Sequence, residues 1–347
     1  TGNWDGVIVS WQSFEKLQVH PKTAIGFIRE ELKELEDAII AAKAEQDDGR
    51  RAHSIIRQLE TAKAKLETRL KDLLKLEGED LGLTWEELGV DLLVVDEAHA
   101  FKGMRLGTKM QGVAPRVSGR ATDLTMKSRW LLRQNGGQRG LVFMTATPIT
   151  NTISEVFVLQ RYLQSPALRD LGLEHFDAWA AQFGETVTEV ELNIQASGYR
   201  PKQRFSRFVN IQDLSMLLGQ VMDFKTKEEL KLPEPRIAGG RPTTVETEGH
   251  PRLPAFIREL DHRVEHIKTG QVDKRVDNML KIATEGRKAA IDMRLVFGDV
   301  GDAPGTKLNR AAELIHQVWH ETTPNRSTQL VFTDFSAPGE GVRFTAP

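Results

Sequence analysis

Apolar positions change period several times along the chain. Val7, Ile8 and Val9 form a short run after Trp4-Asp5-Gly6, which reads as a buried central strand. From Ile25 the spacing switches to helical. Ile25, Ile28, Leu32, Leu35 and Ile39 step by three and four, and Ile55, Leu59, Ala62, Leu66, Leu70 and Leu73 keep that spacing. The polar stretch EQDDGRR (45–51) separates the two runs. Residues 21–83 are therefore expected to form an inserted antiparallel coiled-coil hairpin with a polar tip. Thr84-Trp85-Glu86-Glu87 has the form of a capping box and opens a short helix that Gly89 ends. A strand at 90–95 follows, and LVFMTATP (141–148) gives another buried strand. Asn151 stands where it can cap the helix ISEVFVLQRYL. Residues 166–231 read as helical and irregular, and the Pro/Gly-rich LPEPRIAGGRP (232–242) reads as a linker. TTVETE (243–248) is a candidate strand. Helical patterns cover 251–297 and 306–320, and QLVFTDF (329–335) reads as a buried strand. The order of elements predicts an α/β fold.

Composition narrows the class. In 347 residues, 39% are hydrophobic and 28% charged, the balance of a soluble globular protein with room for two or three domains. The absence of cysteine excludes disulfides, thiolate zinc sites and cysteine nucleophiles, and suits a cytoplasmic protein. No apolar run approaches the roughly 20 residues that span a bilayer, and no signal peptide is visible. The chain starts at Thr1 close to one apolar run and stops just after another, so the expectation is an internal piece of a longer protein.

Charge is uneven although the net is only −2. The expected hairpin is balanced, which predicts a solvated projection. Residues 101–140 carry nine basic side chains against one acid, Asp123. Lys102, Arg105, Lys109, Arg116, Arg120, Lys127 and Arg129 are therefore candidates for contact with nucleic-acid phosphates. YRPKQRFSRF (199–208) adds Arg200, Lys202 and Arg204 among three aromatics, a pattern that can stack bases or dock helices.

The chemistry concentrates at LLVVDEAHAF (92–101). A strand that runs into Asp-Glu is the Walker B arrangement, since ligands of open α/β sheets bind at the carboxyl ends of strands. Asp96 would hold Mg²⁺ through water, because magnesium keeps much of its hydration shell. Glu97 would orient and deprotonate the attacking water, and His99 can hydrogen-bond across a cleft. MTATPITN (144–151) follows at the interval of one or two helices. If its strand lies beside the first, Thr145 and Thr147 come next to Asp96, where hydroxyls can sense a γ-phosphate. No G-x-x-x-x-G-K-[ST] loop occurs, for GMRLGTKM (103–110) and GDAPGTKL (301–308) have the wrong order and spacing. The pairs His262/His266 and His316/His320 have helical zinc spacing but no third ligand in a motif, and read as ordinary helical histidines.

DEAH with Phe-Lys-Gly, followed by T-A-T-P-I-x-N-x-x-x-E, resembles motifs II and III of superfamily-two helicases, and most closely the Swi/Snf-like DNA translocases. Lys102, Asn151 and Glu155 match that branch, while Gly103 stands where it usually has Asn. VIVSWQSF (7–14) resembles its motif Ib, LPEPR (232–236) the entry to its second lobe, and QLVFTDF its motif IV strand. FDAWAAQFGE (176–185) and DNMLKIATEGRKAAIDMRL (277–295) are similar to the helicase part of large phage and plasmid proteins that fuse an adenine-specific DNA methylase to such a translocase. The resemblance implies a partial first RecA-like lobe over 1–165, a helical protrusion over 166–231, and a linker with the start of a second RecA-like lobe over 232–347. It further implies ATP and Mg²⁺ as cofactors and double-stranded DNA, not read for sequence, as partner. Asp96 and Glu97 would bind the cofactors; His99, Thr145 and Thr147 would couple hydrolysis to lobe closure. The phosphate loop, the arginine fingers and any methylase motif would lie outside the 347 residues. A non-catalytic scaffold that keeps a relic motor core and an RNA helicase are the rival expectations.

Overall fold

The structure is a computed structural model that describes residues 5–44, 50–76, 82–110, 113, 116–137, 139–150, 152–192, 199–233, 236–273 and 275–333. It is mixed α/β, and divides into two compact units, Thr1–Leu230 and Lys231–Pro347. Among the described residues no helix is long and apolar enough to cross a membrane.

The first unit opens with a short helix, α1 (Trp11–Lys16), capped by the Ser10 hydroxyl. Two long helices follow, α2 (Pro21–Ala44) and α3 (Arg50–Lys75). Ala24, Phe27, Ile28, Leu35 and Ile39 of α2 bury against Leu59 and Leu66 of α3, so the steps of three and four seen in the sequence form the shared seam. The ion pairs Lys43–Glu60 and Glu36–Lys63 show that the helices run in opposite directions. At the start of the 3₁₀ turn Trp85–Leu88, Glu87 Oε2 accepts from both the backbone N–H and the hydroxyl of Thr84.

Strand β1 (Leu93–Val95) and β2 (Leu141–Phe143) form a two-stranded parallel sheet with Leu93 opposite Leu141 and Val95 opposite Phe143. The crossover between them contains α4 (Gly119–Gln134). Gly140 makes the turn into β2 at φ +100, and a side chain there would meet the Asp91 carbonyl at 2.8 Å. Next come α5 (Ser154–Leu163), α6 (Ser165–Asp170) and α7 (Phe176–Phe183). From Ser154 to Tyr162 every residue of α5 is buried, so this helix is the axis of the unit. Its polar residues are all satisfied. The Ser154 hydroxyl donates to the Val113 carbonyl, and Gln160 accepts from Trp179 Nε1 at 2.7 Å. Aromatic rings of Phe157, Phe176, Trp179, Phe183 and Phe205 close the core around it. The Tyr162 hydroxyl lies within 2.9 Å of Thr125 Oγ1 and 3.1 Å of the Ala121 carbonyl, joining α5 to α4. Tyr162→Phe is expected to destabilise the chain by about 1–2 kcal/mol, read as a lower urea midpoint with an unchanged slope.

Several expectations are corrected. Residues 166–231, read as helical, contain an antiparallel hairpin of β3 (Gly184–Leu192) and β4 (Tyr199–Phe208), followed by α8 (Ile211–Gly219) and α9 (Lys227–Leu230). Thr186, Val187, Thr188 and Val190 are β-branched, a strand propensity that the flanking helical patterns obscured. Val7–Val9, expected as a buried strand, is unpaired and exposed, Ile8 fully so. TTVETE and residues 329–333 of QLVFTDF likewise join no ladder; Asp334 and Phe335 lie outside the described residues. An apolar run supplies β propensity, but a strand needs a partner for its N–H and C=O groups. LLVV is buried on one face alone: Val95 is inside, while Leu92, Val94 and Val142 are exposed.

In the second unit α10 (Leu253–Lys268), α11 (Met279–Ile291) and α12 (Lys307–Thr322) follow one another. Phe256, Leu260 and Val264 of α10 pack on Ile282 and Ala289 of α11 and on Met293. Arg263 clamps α10 to the start of α11 through both carboxylate oxygens of Asp277, at 2.7 and 2.9 Å.

Candidate functional site

The end of β1 delivers Asp96 and Glu97 to the surface, both exposed. Asp96 Oδ1 accepts the Glu97 N–H at 2.9 Å, which turns the chain sharply out of the strand. Glu97 sits at φ 52, ψ 45, a left-handed conformation that few non-glycine residues hold. That twist starts the 3₁₀ turn Ala98–Phe101 and brings His99 back towards the strand end. Ala98 N–H donates to the Met144 carbonyl at 2.9 Å, so the two strand ends stay joined beyond the last ladder pair.

His99 Nδ1 lies 3.0 Å from Glu97 Oε2 and 3.2 Å from Thr145 Oγ1. The Thr145 hydroxyl also accepts the Thr147 N–H at 3.1 Å, which fixes the turn after β2. Glu97, His99, Thr145 and Thr147 thus form one connected chain, with Asp96 attached through the Glu97 backbone.

Beneath this chain lies a buried ion pair. Lys102 Nζ is 2.9 Å from Glu155 Oε2 and donates to the Thr147 carbonyl, also at 2.9 Å. Glu155 Oε2 further accepts the Thr150 N–H at 2.7 Å. Burial pushes the Glu155 carboxyl up, but the hydrogen bonds from Lys102 and Thr150 outweigh it and hold the group below the usual carboxylate range. Lys102 and Glu155 therefore pin the 147–150 turn from below. Asn151 lies outside the described residues.

The candidates for nucleic-acid contact fare differently. The side chain of Lys102 is buried in the pair just described. Lys127 is fully buried; its ammonium, pushed down by burial, contacts Asp123 and the Phe14 carbonyl, each at 2.7 Å. Arg105 pairs with Glu31 at 3.5 Å, Arg129 with Glu30 at 3.2 Å, and Arg120 with Glu15. These side chains join the α2–α3 hairpin and α1 to the rest of the unit. Arg116 stays exposed, and the Lys109 N–H is bound by Asp177 at 3.0 Å. In the β3–β4 hairpin the ladder sets Arg200 opposite Glu191 and Lys202 opposite Glu189, with Arg204 opposite Val187. The basic strand thus has an acidic neighbour, which the sequence window 199–208 does not contain.

GMRLGTKM is packed, not open. The Thr108 hydroxyl and the Lys109 N–H both go to Asp177, and a side chain at Gly103 would meet the Arg116 carbonyl at 2.7 Å. The Lys109 amide is thereby engaged by Asp177, and the Met110 amide by the Thr108 hydroxyl. Among the described residues no group of three or more His, Asp or Glu side chains could hold a metal ion. An exposed Asp96 with one carboxylate oxygen outside the Glu97 hydrogen bond fits magnesium, which binds through one or two carboxylates and keeps several waters.

Residues 1–226 match the family described as "Probable helicase domain". The chain is also 28% identical over 153 residues to "Defense against restriction protein B" of Escherichia phage P1; this stretch is 42% of the chain and 7% of the phage protein. The chain therefore spans a small part of the length of that relative. No solved structure matches.

Proposed function

We propose, for a chain that belongs to the family described as a probable helicase domain, that it forms part of an ATP-dependent DNA translocase. In this reading the first unit is a partial RecA-like lobe. Asp96 would hold Mg²⁺, and Glu97 would take a proton from the attacking water. Bound magnesium would supply neutralisation of the phosphate charge. His99, Thr145 and Thr147 relay the state of the nucleotide to the turn pinned by Lys102 and Glu155. The carrying observation is the position of His99 Nδ1 between Glu97 Oε2 and Thr145 Oγ1, at 3.0 and 3.2 Å. It ties the acidic pair of one strand end to the hydroxyl of the other.

ATP turnover also needs a phosphate cradle with its lysine and arginine fingers, which we assign to protein outside residues 1–347. Duplex DNA would be tracked along its backbone, without sequence readout. A scaffold reading draws support from the basic side chains engaged in internal ion pairs. ATP hydrolysis by the complete gene product separates the readings. Stimulation by duplex DNA is the expected result. Stimulation by RNA alone would reassign it as an RNA helicase, and absence of hydrolysis would leave the scaffold.

A further inference from the structure

The second unit contains a cavity of about 340 Å³ at the start of α12, within the size range of small-molecule sites. Leu253, Ala289 and Met293 give it apolar walls. GDAPGTKL leads into it. Gly305 turns the chain at φ +78, Thr306 is extended, and the helix begins at Lys307.

Thr306 occupies the position whose hydroxyl ordinarily caps the first turn, yet its side chain makes no capping hydrogen bond. The residue is only 7% exposed, lines the cavity, and its Oγ1 has no partner among the described residues. An unsatisfied buried hydroxyl is unfavourable, so its partner is to be sought in a ligand. The first turn of α12, a helix of 16 residues, adds N–H groups that no carbonyl of the helix itself can accept, at the positive end of the dipole. Lys307 Nζ donates to the Ala290 carbonyl at 2.8 Å and keeps two further protons. His250 accepts the Arg252 N–H on Nδ1 at 3.1 Å, which leaves the protonated Nε2 as a further donor. The acids nearby are largely answered. Arg294 bridges Asp292 at 2.7 Å and Asp302 at 3.3 Å, and Asp302 also accepts from Asn309 at 3.0 Å. Glu248, also in the wall, can accept from a ligand hydroxyl.

We propose that this cavity binds a phosphate group, that of a small phosphate monoester of about mononucleotide size, on the first turn of α12 with Thr306 and Lys307 as donors. Donors converging at a helix N-terminus are the chemistry of phosphate sites. The apolar walls suit the body that carries the phosphate.

Amide resonances of residues 306–309 in the full chain, titrated with inorganic phosphate, a deoxynucleoside monophosphate and a short duplex DNA, test this. Saturable shifts with phosphate and tighter ones with the mononucleotide are expected. Shifts with duplex alone would support the same phosphate donors and assign them to the DNA backbone instead of a free monoester. Thr306→Val should weaken binding about tenfold while leaving the urea midpoint unchanged or higher, since it removes an unpartnered hydroxyl. Lys307→Gln, which removes the ammonium, should weaken it as well. No shift at millimolar phosphate with any of the three ligands, or equal affinity in both variants, would overturn the proposal.

Discussion

Changing Glu97→Gln in the complete gene product is expected to lower DNA-stimulated ATP hydrolysis by about 10²–10⁴-fold and to leave nucleotide binding intact. Gln keeps the shape of the side chain and can still accept a hydrogen bond from His99 Nδ1, which lies 3.0 Å from Glu97 Oε2. It cannot take up a proton. The backbone at this position is left-handed, at φ 52, where most non-glycine residues are strained. The turn is held by the Asp96 carboxylate on its N–H and by the Ala98 N–H on Met144, neither of which the substitution touches. A loss of turnover in this variant is thus a loss of chemistry and not of fold. The measurement is steady-state hydrolysis beside equilibrium binding of a nucleotide analogue. A turnover rate equal to the wild type would remove Glu97 from the role of base.

Lys102→Met should destabilise the first unit by about 3–5 kcal/mol, because it leaves the Glu155 carboxylate buried without its cation. Both side chains are 6% exposed, so water cannot replace the lost partner. The pH dependence carries a sign. In the wild type, hydrogen bonds from Lys102 and Thr150 hold the Glu155 carboxyl below its unfolded value despite burial. Its stabilising contribution is therefore complete above the unfolded carboxylate pKa and fades as pH falls through the lowered folded value. Without Lys102, burial dominates and the carboxyl protonates more readily. The difference between variant and wild type should be largest near neutral pH and shrink in acid. Adding Glu155→Gln to Lys102→Met should recover part of the loss, since no buried charge then stands alone. Urea unfolding of the four proteins of this cycle gives the coupling. Additive effects would show that the pair does not pin the 147–150 turn.

The chemistry of the candidate site was legible in the sequence because its parts are local. Asp96, Glu97 and His99 sit within one turn of a strand end, and Thr145 and Thr147 within one turn of the next. The parallel pairing of Leu93 with Leu141 then does what was expected and sets the two ends side by side. The helical seam of α2 and α3 was equally readable, because steps of three and four define a face without reference to any other segment.

Charge was not legible in the same way. Residues 101–140 look like a cationic stripe because their acids lie far off in sequence: Glu15 on α1, Glu30 and Glu31 on α2, and Glu155 on α5. No window of the chain contains both members of these pairs. The sequence by itself determined which residues share a helix face and which chemical groups stand at the two strand ends, since periodicity and turns act over a few residues. Only the tertiary structure decided which apolar runs become strands and which cations pair with distant acids. Strand pairing and ion pairing are satisfied across space, and the chain is indifferent to how many residues lie between the groups that meet.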